Sequence, residues 1–212
     1  TMRFVTAISS LLNDGYVVIT GDDSIRKRPM RPLLAALKQL GVNSFSTRKN
    51  GKAPIIVQGR GINGDNITID GSISSQFISG ILIAGVCAKS GISLSVTGKQ
   101  VSKSYIQSTL NVMSKFGARV KHSKDYRKYN IFNNRYVPTT FTVPGDFSTA
   151  SLLLSAGTLV GGEITVSNLD FSLPQGDSKI LEILKKIGAV ISIDKRNGTV
   201  RTKGTQELDG GE

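Results

Sequence analysis

Three stretches of this 212-residue chain place hydroxyl, amide and basic side chains just ahead of apolar, helix-like runs. Ser74-Ser75-Gln76 precedes Phe77-Ile78-Ser79-Gly80-Ile81-Leu82, Ser102-Lys103-Ser104-Tyr105 precedes a segment running to Phe116, and Arg26-Lys27-Arg28-Pro29 precedes a leucine-rich one. The first turn of a helix presents free N–H groups and the positive end of the dipole, so such side chains at that place suit phosphates and carboxylates. A planar guanidinium such as Arg28 can grip either anion with two parallel hydrogen bonds, and Pro29 suits a first helical position. Each stretch also has a plainer reading: Ser-Ser as an N-cap, Tyr105 as packing, Arg-Lys-Arg as a solvated basic face. Gln175-Gly176-Asp177 supplies the contrast, because its acid suits the helix dipole and repels phosphate. We read that end as structural.

Counting excludes other chemistries. A single histidine, His122, leaves no His cluster for zinc and weighs against a Ser-His-Asp triad. A single cysteine, Cys87, forbids an internal disulfide framework and fits a reducing, cytoplasmic compartment. Apolar runs such as 81–88 are far shorter than the ~18–20 residues that span a bilayer, and no secretory leader pattern opens the sequence. The net charge of +12 fits a nucleic-acid binder or a cleft for small anionic ligands.

The elements that must position these residues repeat. Three segments share the order glycine, short strand, turn, amphipathic helix, glycine, strand: Gly15–Gly41, Gly91–Gly117 and Gly162–Gly188. Aligned on their closing glycines, Leu34, Leu37 and Leu40 match Leu110, Met113 and Phe116, and then Leu181, Leu184 and Ile187. That is the stripe of a half-buried helix. Asn-Gly turn signals at Asn50-Gly51 and Asn197-Gly198 predict hairpins after two of the helices. Another helix is expected before each strand, over 2–12, 76–87 and 149–160. Alternating strands at 66–70 and 140–143 lead into the last two. The unit reads βαβαββ, three times over, with the first copy lacking its opening strand. The fold class is α/β of the α+β type, and a truncated chain is the expectation. The polar end from Glu207 to Glu212 holds no further unit.

Five stretches resemble, in order, the motifs of the 5-enolpyruvylshikimate-3-phosphate synthases. They are Thr1-Met2-Arg3-Phe4, Gly21-Asp22-Asp23-Ser24-Ile25-Arg26-Lys27-Arg28-Pro29-Met30, Asp70-Gly71-Ser72-Ile73-Ser74-Ser75-Gln76-Phe77, Val101-Ser102-Lys103-Ser104-Tyr105-Ile106 and Val143-Pro144-Gly145-Asp146-Phe147-Ser148. The resemblance implies transfer of the enolpyruvyl group of phosphoenolpyruvate to the 5-hydroxyl of shikimate 3-phosphate, without metal or organic cofactor. Carried over by position, Ser74, Ser75, Gln76, Ser102 and Tyr105 would hold shikimate 3-phosphate. Arg28 would grip phosphoenolpyruvate, which Gln76 would also face. Ser104 stands where the family has proline. The family's catalytic residues are expected outside this chain, so the fragment alone is expected to be inactive. Asp146 is read as structural.

The implied fold is an inside-out barrel of such units around pseudo-threefold axes in two lobes. Residues 1–143 would form two units of the first lobe and 144–212 one unit of the second, with docking into a single three-unit domain an open option. The full-length enzyme is expected to be a monomer acting on small molecules, with neither membrane nor nucleic acid as partner. Two rivals stand: a basic nucleic-acid-binding βα-repeat module, and a relative of the UDP-N-acetylglucosamine enolpyruvyl transferase. Few aromatics (6%) speak against the first. Against the second stands Cys87, expected inside an apolar helix rather than on a loop.

Overall fold

The computed structural model describes residues 1–204 and 208–209, in two compact units, Thr1–Thr139 and Thr140 onward. In the first unit the order is α1 (Met2–Ser9), β1 (Tyr16–Ile19), α2 (Asp23–Lys27), α3 (Arg31–Gln39), β2 (Ser44–Ser46) and β3 (Ile55–Gln58). A second copy follows: β4 (Asn66–Asp70), α4 (Ser75–Gly85), β5 (Ile92–Thr97), α5 (Lys103–Lys115), β6 (Val120–His122) and β7 (Lys128–Ile131). The first copy forms an antiparallel sheet in the order β1-β3-β2, and the second a four-stranded sheet in the order β4-β5-β7-β6. Strands β4 and β5 run parallel because α4 crosses over between them.

Burial follows the sequence periodicity. In β4 and β5, Ile67, Ile69, Ile92, Leu94 and Val96 point inward while Thr68, Ser93 and Ser95 face out. Helix α4 is apolar nearly all round, and nine of its eleven residues are buried, as expected of a helix enclosed by its neighbours. It packs closely on α1, where Gly80 makes the approach possible: a Cβ there would lie 3.2 Å from the Arg3 carbonyl oxygen.

The second unit holds α6 (Phe147–Leu159), β8 (Glu163–Val166), a 3-10 turn (Gly176–Lys179), α7 (Ile180–Lys186), β9 (Val190–Asp194) and β10 (Thr199–Lys203). Its sheet is antiparallel in the order β8-β10-β9. Phe147, Leu154, Leu181, Leu184 and Val200 form a core of its own. The glycines that close α3, α5 and α7 (Gly41, Gly117 and Gly188) all adopt φ of 78–88°, the left-handed cap inferred from the repeat.

Three expectations are corrected. Pro29 does not open a helix: Arg28 caps the C-terminal end of the short α2, and α3 begins at Arg31 with Pro32 in its first turn. Residues 140–143 form no strand, and only an isolated parallel bridge joins Gly145 to Leu169. Pro144 lacks the N–H that would extend that ladder, and Val143 is 73% exposed with no sheet face to cover. Cys87 lies in the turn after α4, exposed, rather than inside the helix, because α4 ends at Gly85. Of the polar C-terminal stretch, Glu207 and Gly210 to Glu212 lie outside the described residues.

The charge divides unevenly. The first unit carries 20 of the 27 Lys and Arg but 6 of the 15 Asp and Glu, a net +14, which leaves −2 for the rest of the chain.

Candidate functional site

Ser74 is the N-cap of α4. Its backbone is extended (φ −165°), which turns the side chain back over the helix start, and its Oγ accepts the Gln76 N–H at 3.2 Å. Ser75 and Ser79 are buried one turn apart, and the Ser79 hydroxyl meets Thr109 Oγ1 at 2.8 Å, tying α4 to α5. Ser102 is the N-cap of α5 and adopts φ 53°, in the left-handed region. Its side chain makes no cap bond to the helix, so the hydroxyl is directed by an uncommon backbone rather than by local capping.

Between these two helix starts lies a cavity of about 760 Å³. Ser74, Ser75, Gln76, Ser102 and Tyr105 all line it, so the two sequence stretches, 28 residues apart from Ser74 to Ser102, meet in one place. Ile83, Val112, Met113 and Phe116 add apolar lining, and the cavity is also lined by Tyr136. Its phenol donates to the Ile83 carbonyl at 2.9 Å, and burial, assisted by Cys87, pushes its pKa up to about 12. Hydroxyls and an amide beside apolar side chains suit an amphipathic small molecule with an anionic end.

The sequence motifs left one side chain beside Ser74 and Gln76 without a role. Arg3, on the first turn of α1, donates from one guanidinium nitrogen to Ser74 Oγ at 2.6 Å and to Gln76 Oε1 at 3.1 Å. The guanidinium also lies 4.6 Å from the centre of the Phe77 ring. Burial, and secondarily the positive charge of Arg28, lower its pKa. The signal was present in Thr1-Met2-Arg3-Phe4, and Phe4 too lines the cavity. Arg28 itself is exposed at the end of α2 and is not among the lining residues, though it lies within electrostatic reach of Arg3.

Asp146 caps α6, accepting from the Ser148 and Thr149 N–H groups and from Thr149 Oγ1 at 2.7 Å. The Thr149 hydroxyl leads in holding its carboxyl below the usual range. No group of three His, Cys, Asp or Glu among the described residues is placed to hold a metal ion. No helix of the described residues is long and apolar enough to cross a membrane.

The chain is similar to known proteins over nearly its whole length. The profile of the family described as EPSP synthase (3-phosphoshikimate 1-carboxyvinyltransferase) matches residues 1–211. A 3-phosphoshikimate 1-carboxyvinyltransferase of Methanococcus vannielii is 44% identical over 99% of this chain and 49% of its own length. One from Methanococcoides burtonii is 46% identical over 96% of this chain and 48% of its own. The solved EPSP synthase of Acinetobacter baumannii superposes with a TM-score of 0.72 at 25% identity, covering 99% of this chain and 47% of that one. The enolpyruvyl transferase NikO of Streptomyces tendae, 15% identical at a TM-score of 0.65, shares the fold over 91% of this chain and 44% of its own. The chain spans about half the length of the curated relatives it matches. Profile, relatives and superposition agree over nearly every residue, and the chain belongs to the EPSP synthase family.

Proposed function

We propose that the cavity between the starts of α4 and α5 binds shikimate 3-phosphate, and that the chain contributes this half-site to the transfer of an enolpyruvyl group from phosphoenolpyruvate. The observation that carries the reading is the convergence of Ser74, Ser75, Gln76, Ser102 and Tyr105 on one cavity that apolar side chains also line. The hydroxyls and the Gln76 amide offer donors to a phosphate ester, and the apolar lining suits the carbon skeleton of the ring. Arg28, exposed and basic, is proposed for phosphoenolpyruvate, with a guanidinium geometry that fits its carboxylate or phosphate. The transfer as a whole belongs in this reading to a protein of the relatives' full length. The small-molecule substrates of the family favour this over a nucleic-acid role for the basic charge.

Calorimetric titration of the full chain with shikimate 3-phosphate, beside shikimate and inorganic phosphate, tests it. Saturable binding at least ~10-fold tighter than either part is expected, since hydrogen bonds to a charged group contribute about 1.5–3 kcal/mol each. Equal affinity for shikimate and its 3-phosphate would refute the assignment.

A further inference from the structure

We propose that Arg3 is a positioning residue that leaves the Ser74 hydroxyl only its proton to give and turns the Gln76 amide NH2 end toward the cavity, so that the site accepts the phosphate ester and discriminates against ligands that lack it. The inference rests on the site reading above. A serine hydroxyl has two acceptor directions and one proton. Both acceptor directions of Ser74 Oγ are used, one by Arg3 at 2.6 Å and one by the Gln76 backbone N–H at 3.2 Å, so only the proton remains to give. Gln76 is fixed in the same way. Arginine has five donors and no acceptor, so the group facing it at 3.1 Å is the amide oxygen Oε1. The NH2 end is then turned away from Arg3. Ser74 is left with only a proton to give and Gln76 is held with its NH2 end free of Arg3, and a phosphate oxygen is an acceptor only.

The position of Arg3 is itself over-determined. Gly80 allows α1 to lie close to α4, and the guanidinium stacks on Phe77, the residue next to Gln76. One nitrogen reaches both oxygens while the guanidinium plane lies over the Phe77 ring, a placement that an ammonium, with no plane to stack, does not reproduce. Lysine would keep the charge and lose the geometry. Arg3 therefore acts through Ser74 and Gln76 and not by touching the ligand.

The test uses the full chain with Arg3→Met, which keeps the stem, Arg3→Lys, which keeps the charge, Ser74→Ala, and the Arg3→Met/Ser74→Ala double variant. Thermal melts identify variants that fold. Titration with shikimate 3-phosphate and with shikimate should show both Arg3 variants losing at least ~10-fold in affinity for the phosphate ester and less than ~2-fold for shikimate. The double variant should lose much less than the product of the single losses, as for residues acting through one another. Wild-type affinity in Arg3→Lys, or multiplicative losses in the double variant, would overturn the proposal, because charge alone or direct contact would then suffice. A readout free of ligand separates it from the site reading. In the chain without ligand, the Gln76 side-chain NH2 should give a distinct NMR pair in the wild type that collapses toward the solvent-averaged position in Arg3→Met. Absence of shikimate 3-phosphate binding in the wild type would refute the site reading, and an unchanged Gln76 pair would refute the role of Arg3.

Discussion

Ser102 enters α5 at φ 53°, a conformation that costs an L-residue about 1–2 kcal/mol and glycine almost nothing. Ser102→Gly should therefore hold or raise thermal stability, by up to ~1 kcal/mol after the greater freedom of glycine in the unfolded chain is subtracted. It should also weaken shikimate 3-phosphate binding by roughly 10-fold through loss of the hydroxyl. Ser102→Ala should weaken binding equally without the gain in stability. Parallel melts and titrations of the two variants separate strain from recognition. Asp146 makes the opposite case, an acid whose hydrogen bonds are all to its own helix start. Its carboxyl is depressed in the folded state, so its contribution is present above the unfolded value near 3.9 and lost as pH falls through the lower folded value. Asp146→Ala should cost about 1 kcal/mol at pH 7. The difference from wild type should shrink below about pH 4, as read by denaturant unfolding across pH.

At the scale of elements, equivalent places in the repeat have unequal surroundings. Helices α4 and α6 are both apolar, yet nine of eleven residues are buried in α4 and five of thirteen in α6. The first has α1 on one side and α5 on another. Within its own unit, α6 leans on β8 and β10, and its tight point there is Gly157. A Cβ at 157 would meet Thr202 Oγ1 at 2.8 Å and Ile164 Cγ1 and Cβ at 2.9 and 3.0 Å. Strand side chains cannot give way at their roots, so Gly157→Ala should destabilise the second unit by about 1–3 kcal/mol despite the better helix propensity of alanine. A melting transition at wild-type temperature would show that α6 sits further from the sheet.

For the whole molecule, the charge is a property of one unit. Net +14 on Thr1–Thr139 favours the approach of anions to the unit that holds the cavity, whatever the local hydrogen bonds contribute. Shikimate 3-phosphate affinity should fall by roughly 10-fold between 0.05 and 0.5 M salt, because the screening length shortens several-fold over that range. Shikimate should be affected far less, although its carboxylate shares some of the screening. A salt-independent affinity would place all of the recognition in the short-range contacts.

Much of this protein is legible in the order of its amino acids. The period of the buried stripe, the glycines after α3, α5 and α7 and the alternation in β4 and β5 are local rules, set by 3.6- and 2-residue periodicities and by the one residue that adopts a left-handed cap freely. The five motifs point to the family, and two of them contain the residues that converge on the cavity. What local rules could not supply depended on distant partners. Pro29 and Pro32 are both compatible with a helix start, and α3 uses the second. The alternation over 140–143 predicts a strand, but Pro144 and the lack of a covering face left one bridge. Arg3 stands in a motif of the family with no visible task, since its two acceptors lie 71 and 73 residues away. The sequence by itself determined the repeat, the helix starts and the kinds of side chain at them. Only the tertiary structure decided which of those side chains face one another, because a hydrogen bond between elements depends on how closely helices pack, and that is set by contacts such as Gly80 against α1.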